Sequence, residues 1–527
     1  MTVELDGDSL TIGDVAAVAR DGQAVSIIPE ARERVRASRE RVEDVLEAGD
    51  PVYGVNTGFG ELVDERIPRT ALSELQTNLL RSHAAGAGQH LEREAVRAML
   101  VTRLNALLKG YSGIRLEVLE TLAAFLNETV HPVVPSRGSL GASGDLAPLA
   151  HLALVLIGEG EATVPVGENG DGNGDGVRRL PGDEALAAVG LEPLELRAKE
   201  GLALINGTQM TLGLAALLVV DAEQCCRAAD VAGALTTEVT MGTTAACAEP
   251  LHDVRPHDGQ AESARVVRQV TAESAVVESH RNCDRVQDAY SIRCLPQIHG
   301  AVRDAVAHLR EAVAVELNSV TDNPLVFPRE ALDDRASGTD RAAVVSGGNF
   351  HGAPLAHRLD YLIATLTDLA AVAERRIDRM LNPNLQESHL PPFLARDSGV
   401  ESGLMIAQYT AASLVAECRS VGRAGTDNVP VSGGQEDHVS MSATAAINAR
   451  RVLERTRQVV AAELRCGVEA AEYVDEPLGA GTDDVYETVR TVVPPLSGDR
   501  RPDRDVTAVE TLIADGLLDE AIETHLE

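Results

Sequence analysis

Residues 138–151 read Gly-Ser-Leu-Gly-Ala-Ser-Gly-Asp-Leu-Ala-Pro-Leu-Ala-His, and the Ala142-Ser143-Gly144 triplet within them holds the most unusual chemical opportunity in the chain. If the amide nitrogen of Gly144 reaches the carbonyl carbon of Ala142, a five-membered ring can close. Loss of two waters, one of them carrying the Ser143 hydroxyl, would leave an electron-poor methylidene-imidazolone. Glycine at 144 matters because no side chain crowds its nitrogen. The same triplet also reads as a tight loop in which Ser143 or Asp145 caps the next helix.

Six further clusters carry polar groups in patterned settings. Tyr53-Gly-Val-Asn-Thr-Gly-Phe-Gly60 sets a phenol in a glycine-rich loop, and Arg81-Ser82-His83-Ala-Ala-Gly86 sets an imidazole beside small residues that leave it room. Ile205-Asn206-Gly-Thr-Gln209 places amides in an otherwise uncharged stretch, where a buried amide needs a partner, whether structural or substrate. Gln287, Tyr290 and Arg293 step by three, so on a helix they share a face, and a guanidinium there can hold a carboxylate bidentately. Gly347-Gly-Asn-Phe350-His351-Gly352 and Gln435-Glu436-Asp437-His438-Val-Ser-Met441 complete the set. A carboxylate beside a histidine serves as an acid–base pair, a metal site or a helix cap. Close-spaced metal ligands such as HExxH are missing, as are a GxxxxGK[ST] phosphate loop and a convincing dinucleotide fingerprint. Neither a metal nor a nucleotide cofactor is therefore expected.

Long helices are the elements that must position these groups. Ala, Leu, Val, Glu and Arg dominate, aromatics make up 2% and Trp is absent, which favours closely packed helices over a sheet sandwich. Val96, Met99, Leu100, Leu104 and Leu107 stripe a helix over 92–108. Apolar residues at helical spacing predict further helices over 301–318, 354–381 and 440–466, and joined by short polar links they read as a bundle. The uncharged run 201–220 is expected as one buried core helix rather than a membrane span, because Asn206, Thr208 and Gln209 interrupt its apolar character. The first twelve residues suggest a short strand pair turning at Asp6-Gly7-Asp8. Val166 to Val177 reads as a surface insertion whose spaced acids fall short of a calcium loop, and Asp333 to Arg341 as a second polar loop.

The net charge of −34, from 81 acidic and 47 basic residues, disfavours nucleic acid and anionic membranes as partners. Only Lys109 and Lys199 are lysines, and this acid-rich, lysine-poor composition is similar to that of proteins from salt-loving organisms. Seven cysteines without a CxxC pair suit a reducing compartment, and the N-terminus lacks signal-peptide character, so a cytoplasmic location is expected.

Taken in order from about residue 50 to 441, the seven clusters together with Thr321-Asp-Asn-Pro324 resemble the aromatic amino acid ammonia-lyases. The resemblance implies a mainly α fold, a long-helix bundle of the fumarase/aspartase-like ammonia-lyase type, with the short strand pair at its N-terminus. Expected divisions are an N-terminal domain over 1–205 carrying the loop, a central helix bundle over 206–485 and a C-terminal helical segment over 486–527. It also implies that Ala142, Ser143 and Gly144 form the 4-methylidene-imidazole-5-one autocatalytically, Ser143 becoming the 2,3-didehydroalanine, and that a homotetramer shares its active sites among subunits. Tyr53 then matches the base for the β-proton. Arg293 matches the carboxylate-binding residue, helped by Asn206 and Tyr290, while Gln287 and Phe350 line the site. His83 and Glu436 match positions that engage a polar ring. A buried carboxylate beside a phenyl ring would be left unpaired at a cost, so these two favour an imidazole and hence L-histidine, with trans-urocanate and ammonia as products. Other readings are a lyase or aminomutase of the same family acting on tyrosine or phenylalanine, and an inactive scaffold on the same fold.

Overall fold

The computed structural model describes residues 2–57, 67–166, 176–281, 285–333, 335–426 and 428–526. Helix accounts for about 60% of the chain and strand for 9%. The chain divides into two compact units, one of residues 1–217, 309–360 and 423–447, the other of 218–308, 361–422 and 448–527. The Gly/Asp-rich insertion lies almost wholly outside the described residues, as do Gly58–Gly60 and Cys283.

In the first unit, helix Arg93–Leu108 is buried on every side from Ala95 to Leu108, which makes it the unit's central rod. Its expected stripe of Val96, Met99, Leu100, Leu104 and Leu107 is fully inside. Three charged groups are buried with it, and each makes hydrogen bonds or an ion pair. The Arg97 guanidinium donates to the Val18 and Leu126 carbonyls at 2.7 and 3.0 Å and to His131 Nε2 at 3.2 Å. Arg103 donates to Gln209 Oε1 at 2.8 Å, and Lys199 pairs with Asp322 at 2.7 Å. Burial pulls the Arg103 pKa down to about 10, a value at which the side chain still carries its charge at neutral pH.

The N-terminal strand pair is present, but it is not the expected hairpin. Strand Thr2–Leu5 runs parallel to Ala24–Ile27, Thr2 opposite Ala24, with helix Ile12–Ala19 as the connection. The Asp6 carboxylate accepts from the Asp8 and Ser9 amides at 2.7 and 2.8 Å, forming a turn that leads into a helix rather than a second strand. Thr11 and Asp14 form a reciprocal capping box that starts this helix, so the pairing partner must come from beyond it.

The expected helix over 201–220 is also interrupted. Helix Glu200–Ile205 ends at Asn206, whose backbone is extended, and a new helix runs from Gln209 to Val239. Gly207 forms an isolated parallel bridge with Gly144, and the Asp145 amide donates to the Gly207 carbonyl at 2.6 Å. A continuous helix would have spent that carbonyl internally.

Helices Leu295–Leu317, Ala353–Leu381 and Ser442–Ala471 match the apolar stripes, and Val302, Val306, Leu309, Val313 and Leu317 of the first are buried. In the second unit these helices bury an ionic chain. Arg376 donates Nη2 to Glu463 Oε2 at 2.9 Å within a two-point pair, both side chains inaccessible to solvent. Its Nη1 reaches His299 Nε2 at 3.1 Å, and His299 Nδ1 donates to Asp230 at 2.8 Å. Arg303 holds the other Asp230 oxygen, and Thr236 donates to Glu463 at 2.9 Å. Burial alone would raise the Asp230 pKa, but Arg303 and His299 outweigh it and hold the carboxyl at about 2.

Among the described residues no helix is long and apolar enough to cross a membrane. The six described cysteines are free, and burial pushes thiols such as Cys226 up to about 12, away from reactivity.

Candidate active site

The Ala142-Ser143-Gly144 loop adopts a bend that depends on glycine at 144. Gly144 sits at φ +77°, and a Cβ on it would lie 2.2 Å from the Gly207 carbonyl oxygen. Ser143 is held at both of its oxygens. Its hydroxyl donates to Glu436 Oε1 at 2.8 Å, and its carbonyl accepts from Asn206 Nδ2 at 2.7 Å. Asn206 is 3% exposed and its Oδ1 has no hydrogen-bond partner.

The simple capping reading of this loop does not hold. Asp145 occupies the position before helix Leu146–Leu156 but makes no side-chain bond to it. Its carboxylate accepts from Ser139 Oγ at 2.6 Å and from the Thr211 amide at 2.8 Å, and so caps the helix that begins at Gln209. Burial raises the Asp145 pKa, and the bonds from Ser139 and Thr211 oppose that rise. Two other motifs are stitched to the loop from below. The Gly141 carbonyl accepts from the Gly352 amide at 3.1 Å and Ser440 Oγ at 3.0 Å, and the Leu140 carbonyl from the Met441 amide at 2.7 Å. Thr321-Asp-Asn-Pro324 acts as a brace: Thr321 takes Gln209 Nε2 at 2.8 Å, Asp322 takes Lys199, and Asn323 takes the Gly347 amide at 2.7 Å.

A cavity of about 770 Å³ opens over the loop, and Tyr53, His83, Ala142, Ser143, Asn206, Phe350 and Glu436 all line it. Seven side chains spread over nearly 400 positions of sequence thus line one cavity. The Tyr53 segment reaches the cavity through a bend at Gly54, where φ is +74° and a Cβ would meet Pro324 Cδ at 2.7 Å. His83 is the last residue of helix Leu72–His83, and its Nδ1 donates to the Leu79 carbonyl at 2.9 Å. A carbonyl can only accept, so this bond places a proton on Nδ1.

Gln287, Tyr290 and Arg293 belong to the second unit and are not among the residues lining this cavity. Their expected common helical face is reduced to two members, because the helix spans only Tyr290–Arg293. The Asp288 carboxylate accepts from the Thr243 amide at 2.9 Å and from Arg285 at 3.1 Å, which holds the preceding segment outside the helix. Arg293 lies 4.7 Å from the centre of the Tyr290 ring, and Tyr290 is 71% exposed. Sequence reasoning did not single out Asp145, Thr211, His351, Asn428 or His438 as site residues. His351 and His438 sit inside quoted motifs and line the cavity, whereas Asn428 and Thr211 carried no pattern that would mark them.

A family model described as aromatic amino acid lyase matches residues 10–491. The chain belongs to the aromatic amino acid lyase family. Within that family it is 62% identical over 527 residues to a probable histidine ammonia-lyase of Halobacterium salinarum, covering 100% of this chain and 98% of the relative. The crystal structure of histidine ammonia-lyase from Trypanosoma cruzi superposes with a TM-score of 0.88 at 38% identity, covering 100% of this chain and 96% of that one. Tyrosine aminomutase from Streptomyces globisporus superposes with a TM-score of 0.91, also at 38% identity, covering 100% and 99%. Proteins named as an ammonia-lyase and as an aminomutase thus share this fold.

Proposed function

We propose that this chain is a carbon–nitrogen lyase that eliminates ammonia from L-histidine and releases trans-urocanate. The observation that carries this reading is the placement of His83 and Glu436 in the same cavity as Ser143. An imidazole brings polar ring nitrogens that such groups can satisfy, whereas a phenyl ring would strand the Glu436 carboxylate. The full-length relatives named for histidine ammonia-lyase support the same substrate.

The loop fits the methylidene-imidazolone that the family implies. Gly144 offers an unencumbered nitrogen in a left-handed bend, and the bridge to Gly207 fixes that bend. In the closure, the Gly144 nitrogen bonds to the Ala142 carbonyl carbon, whose oxygen leaves as one water with the Gly144 and Ser143 amide protons; the Ser143 hydroxyl and Cα proton leave as the second. Loss of that hydroxyl removes the donor that Glu436 holds in the precursor, so the carboxylate becomes available to a substrate ring. Once formed, the group supplies an electron-poor exocyclic carbon that makes the substrate amine a better leaving group. Tyr53 takes the β-proton. His83 Nε2 accepts from a ring N–H, and Glu436 engages the same ring. Phe350 covers the site beside the loop.

Arg293, with Tyr290 and Asn206, holds the carboxylate. Tyr290 is exposed, so a homotetramer in which neighbouring copies supply Gln287, Tyr290 and Arg293 to each cavity is part of this proposal. The acidic surface is suited to salt-rich cytoplasm, where screening relieves the repulsion of 34 net negative charges.

Adding L-histidine and following urocanate absorbance tests the proposal. Formation of urocanate is expected, with a fall of about 1,000-fold or more in Ser143→Ala. Intact-mass measurement of the unaltered chain is expected to show the loss of two waters. No urocanate at any salt concentration overturns the function, and accumulation of a β-amino acid in its place establishes an aminomutase.

A further inference from the structure

The Glu436 carboxylate sits on a segment with a backbone bridge at its own position and side-chain clamps at 438–439. Val431 and Glu436 pair across a short antiparallel bridge, the Val431 amide donating to the Glu436 carbonyl at 2.9 Å. Asn428 Oδ1 accepts from the Val439 amide at 2.9 Å, which fixes its amide orientation and turns Nδ2 toward His438 Nδ1 at 3.1 Å. An amide N–H can only donate, so His438 Nδ1 is an acceptor. His351 Nε2 donates to the His438 carbonyl at 3.3 Å, while its Nδ1 accepts from the Ala353 amide at 3.4 Å. The two imidazoles lie nearly parallel, their centres 5.9 Å apart and their planes 10° from each other. Each ring thus uses Nδ1 as an acceptor. Both rings line the cavity that holds Ser143.

We propose that His351 and His438 form a stacked clasp, locked by Asn428, that positions the Glu436 carboxylate for recognition of the substrate ring. The proposal rests on the reading of Glu436 given above. His351 and His438 are positioning residues, and the clasp acts on substrate affinity through Glu436 rather than on bond breaking.

The test combines steady-state kinetics with a double-mutant cycle. His351→Phe keeps a stacked ring but removes the donor, and is expected to raise KM for L-histidine about tenfold while kcat changes by less than about threefold. His351→Gln restores an N–H at the same reach and is expected to return KM to within about threefold. Asn428→Ala, on an exposed residue, reproduces the His351→Phe effect and decides the matter if the latter fails to fold. In chains carrying Ser143→Ala, which prevents turnover, calorimetric affinity for L-histidine is expected to fall about tenfold with His351→Phe but less than about twofold when Glu436→Gln is already present. Equal losses with and without Glu436, or a fall in kcat at constant KM, overturn the clasp alone. Failure of the unaltered chain to make urocanate overturns both the clasp and the function on which it rests.

Discussion

Two buried polar networks, one in each unit, differ in whether they are closed. In the second unit, Arg303, Asp230, His299, Arg376 and Glu463 satisfy one another, and none of these side chains has a buried polar atom without a partner. In the first unit, the network around Ser143 stops short: Asn206 Oδ1 is unpartnered, and the Ser143 hydroxyl is held by a carboxylate that borders an open cavity. The closed network has the character of structural cement, because every desolvated charge has been compensated. The incomplete one combines a left-handed backbone, an orphan acceptor and a serine that lines a cavity, features that stability alone does not require.

The largest expected effect breaks the open network at its backbone. Gly144→Ala places a methyl group 2.2 Å from the Gly207 oxygen at a φ of +77°, so the bend that presents the Gly144 nitrogen cannot persist. Activity is expected to fall about 1,000-fold or more, with no loss of two waters in the intact mass. A variant that matures and turns over histidine like the unaltered chain would show that the bend is incidental to the chemistry.

Breaking the closed network acts on stability instead. Arg376→Met leaves Glu463 buried without its cation and is expected to destabilise the fold by about 3–5 kcal/mol, read as a lowered urea midpoint. Replacing both partners, Arg376→Met with Glu463→Leu, removes the charge together with its counter-charge and is expected to recover most of that loss. If the double variant were as unstable as the single one, the ion pair would be contributing more than mutual compensation.

The same distinction explains what was legible in the sequence. Long helices announce themselves by apolar residues at i, i+3 and i+4, and the stripe from Val96 to Leu107 is buried as its spacing predicts. Tyr53, His83, Asn206 and Glu436 were recognisable because each sits in a local cluster of unusual composition, and the fold brings those clusters to one cavity. Non-local pairings left no such mark. Nothing in Thr2–Leu5 names Ala24–Ile27 as its partner, since parallel strands pair across an intervening helix. The break at Asn206–Thr208 is set by a backbone bridge to Gly144 more than sixty residues away, so an uncharged run of helical character concealed it. Asp145 looked like a cap for its own helix because sequence proximity favours that reading, yet its carboxylate caps the helix at Gln209. Asn428 and Thr211 are single polar residues whose importance comes entirely from what the fold places next to them.

Arg97 and His131 fall between the two extremes and give the smallest and finest test. Both are buried in the first unit, but no carboxylate joins them; His131 Nε2 accepts from Arg97 at 3.2 Å, and Arg97 Nη2 has no partner. Burial, with the neighbouring Arg97 charge, drives the His131 pKa from 6.5 down to about 3. The folded chain therefore keeps this ring neutral over a range where the unfolded chain protonates it. Since the unfolded state binds more protons there, stability rises with pH between about 3 and 6.5 and is lost as the pH falls through that window. The contribution is about 1.4 kcal/mol per pH unit within the window. His131→Gln retains an acceptor toward Arg97 without a titrating group, so its stability is expected to fall less steeply by that amount when urea unfolding is followed from pH 6.5 to 4.5. Identical slopes would mean that His131 titrates in the folded chain as it does in the unfolded one, and that the helical core tolerates a second cation beside Arg97 in a way the closed network of the other unit does not require.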